Sequence, residues 1–402
     1  MLRVGKPEIE AVTRVLESGD LFRYSSDPAH PTEVDLFEKE WSEKIGVKYT
    51  LAVTSGTAAL ICACAGLGIG PGDEVIIPGY TFMATATAVV AGGAIPILAD
   101  VDDTLLLDPK DVARRITPRT KAIIPVHMLG LPCDMDPIME VARQHKLYVI
   151  EDACQMDAGS YKGRRAGSIG DVGAFSFNFF KVVTCGEGGA ITTNSELVYD
   201  RALIMHDSGL AFRPAAGKVS IPTFIGSNFR LNNLLGAVLR AQTGQIDGWI
   251  EALHVLGRRL AAELTAAGVP LLRHNDPEGG TGHSFGVQFA TEEETERCMA
   301  ALDGKLGYMR PFDTGRHVYS NWDPLLEHRV SYCDGLNPFL HPANQQSDMN
   351  YTADMLPQTL DILKRTLIFG LHPSMTEEKV VAMAGIIATA AQSAMKAPAA
   401  AS

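Results

Sequence analysis

Seven short apolar runs, at residues 51–53, 75–77, 96–98, 122–126, 147–150, 174–177 and 189–192, alternate with helical patterns through the first half of the chain. Strands separated by helices are the mark of an α/β sheet with helices packed on its faces. Several of the runs are apolar without alternation, as expected of strands covered on both sides. Helical patterns at 57–68 and 134–145 fill two of the connections. The second half repeats the theme on a smaller scale. A Leu- and Ala-rich helical pattern runs over 232–267 until Gly268 and Pro270 stop it, and an apolar run at 287–289, a helix over 292–303 and a last helix over 376–395 follow. With 402 residues the chain is too long for one simple core. We divide it into a large α/β domain, 1–250, and a smaller α/β C-terminal domain, 251–402, leaving the N-terminal segment free to pack on the smaller one.

A formal net charge of -12 argues against nucleic acid or an anionic membrane as partner, because like charges would be brought together. An anionic substrate would need basic groups placed locally. The most apolar stretch, 84–99, is broken by Gly92-Gly93 and Pro96, and the N-terminus lacks a signal-like run, so the expected location is the cytoplasm. Seven scattered cysteines, of which only Cys62 and Cys64 are close, resemble no metal site and read as reduced thiols.

Three segments carry chemistry. Thr54-Ser55-Gly56-Thr57 lies between a strand and a helix, so free N–H groups at Gly56 and Thr57 would sit at the positive helix end and suit a phosphate. Asp152 closes the run 147–150 at the carboxyl edge of the sheet, where a carboxylate can hold a ring nitrogen protonated, and Gln155 follows three residues on. A helix cap is the plainer reading of each segment taken alone. Phe175-Ser176-Phe177-Asn178-Phe179-Phe180-Lys181, followed by Gly186-Glu187-Gly188-Gly189, sets a lysine after an apolar strand and among aromatic rings. Such a setting supplies the free amine that attack on an aldehyde requires.

In this order, together with Pro78-Gly79-Tyr80-Thr81-Phe82, Pro125-Val126-His127 and Gly226-Ser227-Asn228-Phe229-Arg230, the chain resembles the DegT/DnrJ/EryC1/StrS sugar aminotransferases, which are fold type I pyridoxal-phosphate enzymes. The resemblance implies an aspartate-aminotransferase-like large domain with a mostly parallel sheet. It implies pyridoxal 5'-phosphate held by Lys181 as a Schiff base, with Asp152 on the ring nitrogen, Gln155 on the ring hydroxyl and Phe82 stacked on the ring. Gly56, Thr57 and Ser176 would hold the phosphate, and Asn228 would reach the phosphate of a neighbouring subunit in a homodimer. The implied reaction moves an amino group from glutamate or glutamine to a keto sugar: a nucleotide-linked sugar, a cyclitol or an eight-carbon keto-sugar acid.

Three departures bear on the acceptor. Met156-Asp157-Ala158-Gly159 stands where Ala-His-Gly often follows the Gln; Leu21-Phe22-Arg23-Tyr24 replaces a Gly/Thr-rich stretch; and the run from His317 to Trp322 replaces a Pro-Leu-His segment. The last two resemble transaminases of the eight-carbon acid. Arg23, Tyr24, Arg230 and His317 are accordingly the candidate substrate residues, and 333–351 is a candidate loop over the site. Two other functions compete: a pyridoxamine-phosphate sugar dehydratase, whose relatives carry His at the position of Lys181, and a non-catalytic regulatory protein on the same fold.

Overall fold

The structure, a computed structural model, describes residues 4–25, 27, 29–212 and 219–396. Its main sheet has strands β1 (Tyr49–Val53), β2 (Glu74–Pro78), β3 (Ile95–Ala99), β4 (Thr120–Ile123), β5 (Tyr148–Asp152), β6 (Val172–Ser176) and β7 (Gly189–Thr193). The spatial order is β1-β7-β6-β5-β4-β2-β3. Every pair from β3 through to β6 is parallel, whereas β7 runs antiparallel to both β6 and β1. The carboxyl ends of β5 and β6 therefore open at one edge of the sheet, where such folds keep their ligands.

Helices α1 (Lys6–Ser18), α2 (Glu33–Ile45), α3 (Gly56–Leu67), α4 (Ala84–Ala91), α5 (Pro109–Arg115), α6 (Met135–His145), α7 (Glu196–His206) and α8 (Asn233–Thr243) accompany this sheet. On one face Leu51, Ile150, Ala174 and Ile191 pack with Leu60, Val89 and Leu203. On the other, Phe37 and Trp41 of α2 meet Phe175 and Phe177, with the Trp41 ring 5.3 Å from each and nearly perpendicular. Edge-to-face pairs of this kind contribute about 0.5–1.5 kcal/mol beyond burial. Side chains alternate along a strand, so anchoring Phe175 and Phe177 on α2 turns Ser176 to the opposite side.

The expected helix over 232–267 is two helices, α8 and α9 (Ile246–Ala266), broken at Gly244-Gln245. Gly is a poor helix former, and the break lets Ile246 enter the core beside Trp41. Along α9 the packing changes: Ile250 still belongs to the Trp41 cluster, while Leu253, Leu256 and Leu260 pack against β8 (Ser284–Gln288), β9 (Thr366–Gly370) and the helices α10 (Glu292–Leu302) and α12 (Glu377–Lys396). A shorter helix, α11 (Pro357–Lys364), leads into β9, which pairs antiparallel with β8. The N-terminal segment does not take the place left open for it on the smaller unit: Ala11 and Val15 of α1 pack on Ala237 of α8.

Residues 333–351 do not cover the carboxyl edge. Asn344 is buried and bonds Gly72 N (2.6 Å) and Gly93 O (3.0 Å), and the Tyr351 hydroxyl donates to Pro96 O (2.6 Å), which pins this segment near the amino ends of β2 and β3. Among the described residues, no helix is long and apolar enough to cross a membrane.

Candidate active site

At the carboxyl edge a cavity of about 470 Å³ is lined by Gly56, Thr57, Phe82, Asp152, Gln155, Ser176 and Lys181. Seven of the eight cofactor candidates thus come together. Ser55 caps α3 by accepting from Ala58 N at 3.1 Å, and among the described residues no protein acceptor meets the N–H groups of Gly56 and Thr57. Two free donors and the helix dipole make that end an anion site. Gly56 is required sterically: a Cβ there would lie 2.7 Å from Ser176 Cβ and 2.9 Å from Cys154 Sγ. Gly189 serves the same packing from below, since a Cβ would meet Ser55 O at 2.4 Å.

The last two residues of β5 point opposite ways. Glu151, fully buried, accepts from the N–H groups of Gly167 (3.0 Å), Ile169 (2.6 Å) and Gly170 (2.7 Å) and so holds a turn. Asp152, 3% exposed, faces the cavity. Thr85 Oγ1 donates to its Oδ2 at 2.8 Å and Cys154 N to its Oδ1 at 3.2 Å, and Thr81 Oγ1 lies 2.8 Å from Thr85 Oγ1. Gln155 is oriented by Leu129 N, which donates to its Oε1 at 2.9 Å.

Lys181 sits on a tight turn closed by its own N–H to Asn178 O at 3.0 Å. The aromatic wrapping expected around it is not supplied within the chain: Phe179 and Phe180 are 53% and 78% exposed. Lys181 also lines a second cavity of about 210 Å³, together with Tyr80, Gln155, Asp157, His283 and His317 among others. The segment carrying Arg316 and His317 is stitched across from the C-terminal half of the chain, with Thr81 N donating to His317 O (2.9 Å) and Met83 N to Arg316 O (3.2 Å). Burial pushes the His283 imidazole down to about 4, helped by the Lys181 charge. Burial also lowers His317, against the Thr314 backbone, and raises the Asp157 carboxyl well above the usual range, against Lys181. Ala158 adopts a left-handed φ of 56°, at the position where the resembling pattern has glycine.

Of the four substrate candidates, only His317 lines these cavities. Arg23 is 4% exposed and donates to Asp35 (2.8 Å) and Glu38 (2.8 Å), and Glu38 in turn accepts from Ala52 N of β1 (2.7 Å). It ties the N-terminal segment to α2 and the sheet. Arg230 is paired with Asp207 at 2.6 Å, and Tyr24 stands beside Arg23 and Asp207. Asn228, the eighth cofactor candidate, is outside the cavity and accepts from Arg230 N at 3.4 Å. Thr85, Arg316 and the placement of Asp157 in the second cavity escaped the sequence reading. Thr85 could have been found on the helical spacing from Thr81; nothing in the sequence marks Arg316.

The DegT/DnrJ/EryC1/StrS aminotransferase family matches residues 3–317. The chain belongs to this family. It is 34% identical to the spore coat polysaccharide biosynthesis protein SpsC of Bacillus subtilis over 94% of this chain and 92% of that protein. It is 42% identical to the GDP-perosamine synthase of Caulobacter vibrioides over 56% of this chain and 62% of that protein, under two thirds of that relative's length. The crystal structure of 3-amino-5-hydroxybenzoic acid synthase superposes with a TM-score of 0.78 at 30% identity, covering 97% of each chain. DesV of S. venezuelae, solved with a ketimine intermediate, gives 0.77 at 28%, covering 96% of this chain and 94% of that one.

Membership in the DegT/DnrJ/EryC1/StrS family makes this chain an aminotransferase of the same α/β fold and implies pyridoxal phosphate as cofactor. The donor set fits that group. Two unpartnered N–H groups beside a serine hydroxyl suit a phosphate, a buried carboxylate held by Thr85 suits a protonated ring nitrogen, and a lysine amine lies on the same cavity.

Proposed function

We propose that the chain transfers an amino group from glutamate or glutamine to a keto sugar in the cytoplasm, using Lys181 as the base. The observation that carries this reading is the meeting of Lys181, Asp152, Gln155 and the Gly56-Thr57-Ser176 anion site on one cavity. Pyridoxal phosphate, when bound, supplies an aldehyde to take up the amino group and a ring to accept electrons. Gly56 N, Thr57 N and the Ser176 hydroxyl bind its phosphate. Asp152, fixed by Thr85, holds a proton at the ring nitrogen, Gln155 orients the ring hydroxyl, and Phe82 covers one ring face. Lys181 Nζ takes the proton that leaves the amino acid's Cα and returns one to the acceptor carbon.

Relatives named GDP-perosamine synthase, dTDP-3-amino-3,4,6-trideoxy-alpha-D-glucose transaminase and L-glutamine:3-amino-2,3-dideoxy-scyllo-inosose aminotransferase support nucleotide-linked sugars and cyclitols as the acceptor class. The dehydratase reading is disfavoured by the lysine itself.

The working unit in this reading is a homodimer. Phe179, Phe180, Phe224 and Ile225 expose 53%, 78%, 44% and 96% of their surface, an apolar group that a second copy would cover. Asn228, outside its own cavity, would then face the partner's phosphate.

The test is spectroscopic. Adding pyridoxal phosphate to the purified protein should raise a visible absorbance band, L-glutamate or L-glutamine should bleach it, and a keto sugar of the classes above should restore it. Lys181→Ala should lose both band and turnover. Turnover by that variant at a near wild-type rate would overturn the reading.

A further inference from the structure

An amino acid donor brings a carboxylate into a protein whose net charge is -12. A cation must meet it. The formally charged side chains lining the two cavities are Asp152, Asp157, Glu187, Lys181 and Arg316. Lys181 is committed to the cofactor in the proposed reaction, and the two histidines on the cavities are held neutral by burial. Arg316 is then the cation that remains. Unlike Arg23 and Arg230, each tied to carboxylates at 2.6–2.8 Å, Arg316 has no carboxylate partner among the described residues. Its guanidinium lies 6.0 Å from the centroid of the Phe82 ring.

Among the described residues, Asp157 is the one formally charged side chain besides Lys181 that lines the second cavity. Asp157 is 1% exposed; among the described residues its Oδ1 has no hydrogen-bond partner, and its Oδ2 accepts a long bond from Val183 N at 3.4 Å. A hydroxyl entering there would find a hydrogen-bond partner in that Oδ1. Buried polar atoms without partners are rare in native proteins, and one that lines a cavity marks a place where a ligand completes the bonding.

We propose that Arg316 anchors the carboxylate of the amino donor at the first cavity, while the second, through Asp157, takes a hydroxyl of the uncharged part of the acceptor. A guanidinium fork matches a carboxylate in two parallel bonds, which a lysine cannot reproduce. The proposal rests on the transamination argued above.

Its test uses the holoenzyme with L-glutamate, L-glutamine and their α-methyl analogues, which have no Cα hydrogen to lose and so report binding alone. In Arg316→Gln the visible band with pyridoxal phosphate should form as in wild type. The concentration that half-saturates bleaching, and the dissociation constant of the α-methyl analogue, should each rise about tenfold or more, with the limiting bleaching rate changed by less than about threefold. Arg316→Lys should recover part of the loss, and Asp157→Asn should leave donor binding unchanged or tighter. Among the described residues the side chain of Arg316 makes no hydrogen bond, and its backbone oxygen is what holds Met83 and Trp322, so Arg316→Gln keeps the fold. Unchanged saturation by both donors in Arg316→Gln would overturn the proposal. If neither amino acid bleaches the wild-type band, the donor assignment in the proposed function is what fails.

Discussion

The end of the cavity proposed for the cofactor and the end proposed for the substrates are built on different terms. At the cofactor end the polar groups are fixed before anything binds: Asp152 by Thr85 and Cys154 N, Gln155 by Leu129 N, and Ser176 by the anchoring of its neighbours on Trp41. At the substrate end Phe82 is 39% exposed and Arg316 is exposed, and among the described residues Arg316 is unpaired and Asp157 keeps a buried oxygen without a partner. Preorganisation belongs where the same group is held in every turnover. Open valences belong where two different substrates must alternate. The difference assigns chemistry to the rigid end and selectivity to the unfinished one.

The sharpest way to break this division is at Arg23, a residue whose type suggested substrate binding. Its burial between Asp35 and Glu38 makes it scaffold. Arg23→Ala leaves the buried Glu38 carboxylate without its cation, and half-exposed Asp35 as well, and should cost roughly 3–5 kcal/mol in urea unfolding, with little change in donor or acceptor KM for the folded fraction. A stable variant with raised KM would move Arg23 back to the substrate end. A smaller effect is expected from pH. His283 is held near 4 in the fold against 6.5 in the unfolded chain, so the unfolded state binds more protons between those values. Stability should therefore be complete above the unfolded pKa and fall as pH drops from there towards 4, by at most roughly 3 kcal/mol from this group. Unfolding midpoints measured across that window should flatten in His283→Asn. The smallest change is at Thr85: Thr85→Val removes the bond to Asp152 at constant shape and should slow donor bleaching by about fivefold to tenfold, roughly 1 kcal/mol, without affecting cofactor uptake.

This division also explains what could be read from residues alone. The free N–H groups of Gly56 and Thr57 and the place of Asp152 on the cavity were legible because each is a contiguous strand-to-turn-to-helix signal, in which local chemistry fixes the geometry. The same holds for the strand that delivers Lys181. The substrate end is assembled from distant pieces: Arg316 and His317 reach the cavity only because Thr81 and Met83 bind their carbonyls. Whether an arginine is free or spent depends on ion pairs such as Arg23 with Asp35 and Glu38, which no spacing announces. Residues 333–351 looked like a lid by composition, yet Asn344 fixes them at the other end of the strands.

Asp152 gives the most direct measurement of the central claim. Asp152→Asn keeps the shape of the side chain but cannot hold the proton on a ring nitrogen. The account predicts that the variant still takes up pyridoxal phosphate and still forms the visible band with Lys181, while single-turnover bleaching by L-glutamate or L-glutamine slows by about a hundredfold or more, roughly 3 kcal/mol of barrier. Bleaching as fast as wild type would contradict it, leaving Asp152 as a structural acceptor for Thr85 and the ring partner elsewhere.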